Sequence, residues 1–299
     1  MKNMGYHYTA NVQQDEVLRA SFNELTRQTF GFDFENWYKS GHWGELYIPH
    51  VLTVDNKVVS NVSVNLMQFK IGDTSKKYIQ IGTVMTDLNY RGQGLNREIM
   101  ERILAEYKGK FDGIYLFGND SVLNYYPKYG FKAAIEYEYY LPLDKCENVS
   151  SYTLEKINTE DDMQREKLSN TIRACMNIPN ENDAFYMNEN LGLYQFWFAA
   201  AYEDSIYYLP ETDSYVIAEI QEQTLFIHQI LGQEKIDIIR LANSFADNLT
   251  EAVLGFTPIQ KENLFVREHK EEDCTLFILG EDLARIEKDK MMFPILSHA

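Results

Sequence analysis

Arg91-Gly92-Gln93-Gly94-Leu95-Asn96 stands where one kind of periodicity gives way to another. Upstream, Tyr78 to Met85 reads as a β-strand. Downstream, Leu95, Ile99, Ile103 and Tyr107 fall four apart with Met100 and Leu104 beside them, the apolar stripe of a helix of about four turns. Two glycines at such a junction let the main chain approach a ligand closely, and the first N–H groups of the helix have no partner inside it. With the positive end of the helix dipole and Arg91 beside them, they make an anion site whose natural occupant is a pyrophosphate. Other phosphate loops do not fit. A Walker loop ends in Gly-Lys-Ser/Thr, and a dinucleotide fingerprint needs a third glycine where this chain has Arg97.

The surrounding elements must hold that loop. A helical opening carries Val17, Leu18, Phe22 and Leu25, and an aromatic stretch from Phe30 to Tyr38 follows. His50–Val54 and Val58–Leu66 flank the turn Asp55-Asn56-Lys57 as a hairpin, and Tyr78–Met85 extends it to a three-stranded meander. After the helix come a buried strand, Gly113–Gly118, a short helix from about Ser121 to Tyr129, and a last strand from Phe131 to Leu141. Strand, helix, strand in this order predicts a parallel pair. The polar stretch 144–151 marks a boundary, giving modules of residues 1–145 and 146–299. The second repeats the plan: a strand at Tyr152–Ile157, helices, a hairpin of Ser214–Ile220 and Thr224–Leu231, a helix at Lys235–Phe245, strands at Ala252–Phe256 and Thr275–Leu279, and a closing helix.

The loop Arg91 to Asn96 resembles the Arg/Gln-x-x-Gly-x-Gly/Ala acetyl-CoA signature of the GNAT (GCN5-related N-acetyltransferase) superfamily, from which it departs at Asn96. Asn119 and Tyr125-Tyr126-Pro127-Lys128-Tyr129-Gly130-Phe131 resemble that superfamily's second signature, in the right order. A tandem of such halves, with the loop in the first only, is similar to the N-terminal modules of the Eis-type bacterial acetyltransferases. The second half has Gly232-Gln233-Glu234-Lys235 at the matching junction and is expected to bind no CoA. The resemblance implies an α+β (α/β/α) fold of two mixed, mostly antiparallel sheets with helices on both faces, the second copy degenerate. It further implies an N-acetyltransferase that moves acetyl from acetyl-CoA directly to a primary amine. Val84, Met85 and Thr86 would line the pantetheine arm. Arg91, Gly92, Gln93, Gly94, Leu95, Asn96, Arg97 and Asn119 would complete the cofactor site. Tyr126 would protonate the leaving thiolate, which suits a phenol of pKa about 10. The alternative is a CoA-binding sensor or interaction module with weak catalysis.

The general base stays open among Glu35, His42, Glu45, His50 and a water chain. Trp37, Tyr38 and Trp43 either frame a cationic acceptor or cover the sheet edge. The apolar run Met291–Leu296 is expected to anchor His298 and Ala299 near the cleft between the halves.

Composition sets the limits. The 299 residues carry a net charge of −17, and it is uneven: residues 1–144 have 15 basic and 17 acidic side chains, residues 145–299 have 13 and 28. Such a second half repels nucleic acid and favours small cationic or peptide amines. Cys146, Cys175 and Cys274 are odd in number and far apart, so neither a disulfide framework nor a cysteine metal site is expected. With no apolar leader or membrane-length run, the chain reads as cytoplasmic. The acceptor, the acyl chain length and the oligomeric state are not legible.

Overall fold

The computed structural model describes residues 5–143, 150–176, 178–245 and 248–299. Cys146 and most of the stretch chosen as a boundary lie outside the described residues. The first half runs β1 (His7–Ala10), α1 (Glu16–Phe30), α2 (Glu35–Lys39), β2 (Tyr47–Val54), β3 (Lys57–Ile71), β4 (Thr74–Thr86), α3 (Leu95–Tyr107), β5 (Gly113–Gly118), β6 (Lys132–Ala134) and β7 (Tyr137–Pro142). The second runs β8 (Glu155–Lys156), α4 (Asp162–Cys175), β9 (Phe185–Asn188), α5 (Leu191–Ala200), β10 (Ile206–Leu209), β11 (Ser214–Gln221), β12 (Thr224–Leu231), α6 (Ile238–Ala242), β13 (Glu251–Leu254), β14 (Phe265–Glu268), β15 (Thr275–Leu279) and α7 (Arg285–Lys288).

Two mixed sheets result, as expected, with helices packed on them. The meander β2-β3-β4 forms, and β4 pairs in parallel with β5 through the α3 crossover. Leu95, Ile99, Met100 and Ile103 of α3 pack on one face of the first sheet with Val62, Val64, Ile79 and Ile81. Asp15 caps α1 through the amides of Val17 and Leu18, and Gly31 ends that helix at a φ of 83°.

The strands do not segregate by halves. The single strand expected over Phe131–Leu141 is two. β6 pairs with β15 in the first sheet, whereas β7 lies between β13 and β14 in the second. The break falls at Ile135-Glu136, where the buried Glu136 carboxylate accepts a hydrogen bond from Phe293 N at 2.7 Å. Reciprocally, β15 inserts antiparallel between β5 and β6. It is covered on both faces: Phe277 joins the α3 side, and Leu276 and Ile278 join a core shared with the second half. β9 extends the first sheet by pairing with the end of β3, Phe185 opposite Ile71. Between the two layers, Phe69, Tyr115, Phe185 and Phe293 form an aromatic cluster.

Burial of acids has a consequence for pH. Asp183 is fully buried, its Oδ1 accepting from Phe185 N at 2.9 Å, and desolvation pushes its pKa up to about 8. The folded chain therefore keeps a proton that the unfolded chain releases near pH 4, and stability falls as pH rises from there to about 8. Asp183→Asn, which keeps the acceptor but cannot ionise, is expected to flatten this decline and to melt above the wild type at pH 8. Melting temperatures from pH 4 to 9 check it.

Candidate active site

β4 and β5 are paired from Tyr78 opposite Gly113 to Ile81 opposite Leu116, and then separate although both strands continue. A bulge in β4 opens the fork. Its register against β3 jumps between Gly82 opposite Ser63 and Met85 opposite Asn61, and Thr83 takes a left-handed φ of 42°. Asn61 Nδ2 holds the strained residue by donating to Thr83 O at 2.7 Å, and Tyr47 OH bonds its hydroxyl. The β5-facing edge of residues 82–86 is thus left unmatched by any strand.

That edge forms one wall of a cavity of about 730 Å³. At one end lies the glycine loop. Asp87 caps a single 3-10 turn through Asn89 N, and Lys57 Nζ, 2.5 Å away, holds its carboxyl below the usual range. Gly92 and Gly94 have φ of 76° and 80°, where side chains are strained, and Gly94 is the N-cap of α3 with no side chain to fill the helix amides. Arg91 Nε donates to Thr86 O at 3.2 Å, and Arg97 NH2 lies 3.2 Å from where a Cβ on Gly94 would stand. An anion placed here meets free amides and two guanidiniums.

At the other end stands Tyr126, 4% exposed, on a turn with Pro127 at its start and Gly130 at its end. Its ring packs against Phe277 and Phe131, and a Cβ on Gly118 would lie 3.1 Å from it, so this glycine admits the ring. Desolvation pushes the phenol up to about 12.

Val84, Met85, Thr86, Arg91, Gly92, Gly94, Leu95, Asn96, Arg97, Asn119 and Tyr126 all line this cavity. Gln93 does not: its Oε1 accepts from Tyr6 OH at 2.6 Å, turned toward the β1 end of the chain. Asn96, where the loop departs from the superfamily pattern, accepts from Ser60 Oγ, so its amide is drawn to β3. Asn119 caps the turn after β5 through Ser121 N.

Glu35, His42, Glu45 and His50 are absent from the cavity lining. Glu35 is paired with Arg19 and Asn23, and His50 is buried against Tyr8 and Tyr107 at the far end of α3, its pKa lowered to about 4 by desolvation. Trp37 and Trp43 stack at 5.8 Å in a buried cluster, their indoles donating to Gly192 O and Tyr47 O, and so cover the sheet. Sequence reasoning missed Thr29 and Phe30 at the end of α1, and Phe117 on β5, all of which line the cavity. His298 stacks on Phe117 at 3.9 Å, with its carbonyl held by Trp197 Nε1 at 2.8 Å. Ala299 O lies 2.7 Å from where a Cβ on Gly82 would be, so these two residues cover the fork on the face away from α3.

The family model described as an acetyltransferase (GNAT) domain matches residues 12–134, which hold the fork, the loop and Tyr126. Residues 12–134 thus form a GNAT acetyltransferase domain. No curated protein matches it. Among solved structures it is similar to a probable N-acyltransferase of Enterococcus faecalis V583, at 16% identity over 92% of this chain and 71% of that one, TM-score 0.57. Eis1 of Mycobacterium abscessus aligns at 11% identity over 91% and 72%, TM-score 0.56. A GCN5-related N-acetyltransferase of Kribbella flavida aligns at 13% over 91% and 71%, TM-score 0.54. At these identities the likeness is one of fold, and it runs through both halves of the chain. Among the described residues no helix is long and apolar enough to cross a membrane.

In the second half the matching junction is built differently. Gly232 is packed so closely on Ser214 that a Cβ would overlap its hydroxyl, and α6 starts behind Asp237, whose carboxylate caps Ile239 N and Arg240 N. The amides that an anion would need are taken by the chain's own acid.

Proposed function

We propose that this domain transfers acetyl from acetyl-CoA to a primary amine by direct attack, at the fork between β4 and β5. The observation that carries the reading is the fork itself, an unpaired strand edge with free helix amides at one end and a buried phenol at the other. The diphosphate would lie on the amides after Arg91. The pantetheine arm would add to the open edge of Val84–Thr86 as a strand does, with its amides pairing there. The thioester would then reach the fork, where a β4 amide receives the carbonyl oxygen as charge develops on it. Attack by the amine forms the C–N bond, the C–S bond breaks, and the Tyr126 proton goes to sulfur. We assign the acetyl-CoA site to residues 1–145 and a non-binding, strand-exchanging partner module to 146–299. The described cysteines, Cys175 and Cys274, are free, which agrees with a place in the reducing cytoplasm.

Calorimetry with acetyl-CoA tests the loop. Gly94→Val puts a β-branched residue at a φ of 80° and a side chain against Arg97. Strain of that kind is expected to weaken binding by about ten- to a hundredfold. Wild-type protein giving no heat with acetyl-CoA, and no thiol release with any of a panel of amines, would remove the reading.

A further inference from the structure

We propose that Phe117 gauges the acyl chain of the donor: its ring, clamped under His298, closes the inner end of the fork, so that acetyl and propionyl groups fit there and longer chains do not. The proposal rests on the acetyl-transfer reading and limits the class of donor that the site admits.

Gly82 on β4 and Phe117 on β5 are the first residues beyond the last matched pair, Ile81 opposite Leu116, and so stand at the closed end of the fork. Both line the cofactor cavity. The Tyr126 ring lies against Gly118, one residue further along β5, which sets the sulfur on that side, while the carbonyl oxygen goes to an amide of β4. The third substituent of the same planar carbon is the acyl chain. Its remaining direction is inward, toward Gly82 and Phe117. There it meets a floor: Ala299 O lies 2.7 Å from where a Cβ on Gly82 would be, and the Phe117 ring fills the other side.

The ring is not free to yield. His298 stacks on it at 3.9 Å with 25° between planes, and Tyr115 and Phe293 meet it edge-on at 6.1 and 6.3 Å. His298 is fixed in turn, since its carbonyl accepts from Trp197 Nε1 at 2.8 Å. A ring held by three others cannot turn out of the way of a longer chain without breaking one of these contacts.

Behind the ring there is room. Leu276 lies opposite Phe117 across β5 and β15, and Ala134 lies opposite Leu276 across β15 and β6, an apolar row on one face of the sheet. This row and Phe117 are walls of a second cavity, of about 440 Å³. Phe117 is therefore a partition between the fork and an apolar row that no acyl chain reaches while the ring stands. The charged rim of the second cavity, with Lys270 and Glu271, takes no part.

The test titrates acetyl-, propionyl-, butyryl- and hexanoyl-CoA into the full chain by calorimetry, which needs no acceptor. Wild type is expected to bind the first two comparably and hexanoyl-CoA at least about tenfold more weakly, because one methylene too many in a fitted apolar pocket already costs that much. Phe117→Ala is expected to reverse the order, with hexanoyl-CoA favoured by about tenfold, since each methylene laid on Leu276 and Ala134 gains about fourfold. Adding Ala134→Leu to that variant refills the row and should remove the gain, which a general loosening of the fork would leave in place. If Phe117→Ala does not fold, His298→Ala, which only frees the ring to tilt, is expected to strengthen butyryl-CoA binding by about tenfold. A wild type that binds hexanoyl-CoA as tightly as acetyl-CoA or more so, a Phe117→Ala protein that keeps the wild-type order, a gain that survives Ala134→Leu, or a folded His298→Ala protein with unchanged butyryl-CoA affinity overturns this inference and leaves the transfer reading standing. A wild type that takes up none of the four donors overturns the underlying reading and this inference with it.

Discussion

Replacing Tyr126 with Phe is expected to lower turnover by about a hundredfold while leaving the affinity for acetyl-CoA nearly intact. The ring stays in place because its packing on Phe277, Phe131 and Gly118 involves carbon alone. What is lost is the proton. A thiolate leaves poorly into a dry pocket unless it is protonated as the C–S bond breaks, and the phenol, with its pKa pushed up to about 12, is fully protonated at any working pH. Its high pKa does not prevent donation, since the attacking nitrogen sheds a proton in the same step and no phenolate has to persist. Two readouts follow. The kcat of Tyr126→Phe falls with KM for acetyl-CoA unchanged, and the wild-type pH profile shows no alkaline limb from this group below about pH 10. A Phe variant with wild-type kcat would take Tyr126 out of the mechanism.

The parts of the site that were legible in the sequence are those whose chemistry is local. Gly92 and Gly94 announce their left-handed conformations by being glycines, and the four-residue spacing of Leu95, Ile99 and Ile103 announces the helix they start. The fork was hidden because its bulge is made by Thr83, a residue that alternates with its neighbours as any strand residue does. The strand exchange was hidden for a related reason. Residues 131–141 are apolar and aromatic enough for one strand, and the charged Lys132, Glu136 and Glu138 fall on alternate positions as they would in a continuous strand, so Glu136 does not stand out. Whether such an acid ends a strand depends on Phe293, more than 150 residues away. The general base is a third case: Glu35 and His50 have suitable chemistry by residue type, and only the folded chain shows that Arg19 and Asn23 engage the one and Tyr8 and Tyr107 the other, away from the cavity. Pairings between distant segments carry no periodicity of their own, so strand content was readable where strand neighbours were not.

Phe293→Ala is expected to produce the largest loss of stability of any single truncation in the inter-sheet core. The ring is fully buried, stacked on Tyr115 at 3.9 Å with 9° between planes, and it touches Phe69 and Phe185 at 5.4 and 5.2 Å. These partners belong to β5, β3 and β9, all strands of the first sheet, so the ring fastens the closing segment of the second half onto that sheet. Removing a buried Phe costs about 3–5 kcal/mol, from lost burial and from the cavity that the neighbouring rings cannot close. Against a total stability of roughly 5–15 kcal/mol, that is a large fraction. The variant should also lose activity at temperatures where it is still folded. Phe293 N holds Glu136, and the segment that follows carries His298 onto Phe117 at the fork. Urea unfolding followed by tryptophan fluorescence, with thiol release measured well below the new midpoint, separates the two effects. A midpoint shift equivalent to less than about 1 kcal/mol would mean that the aromatic cluster relaxes around the missing ring, and that the closing segment is held on the first sheet by other contacts.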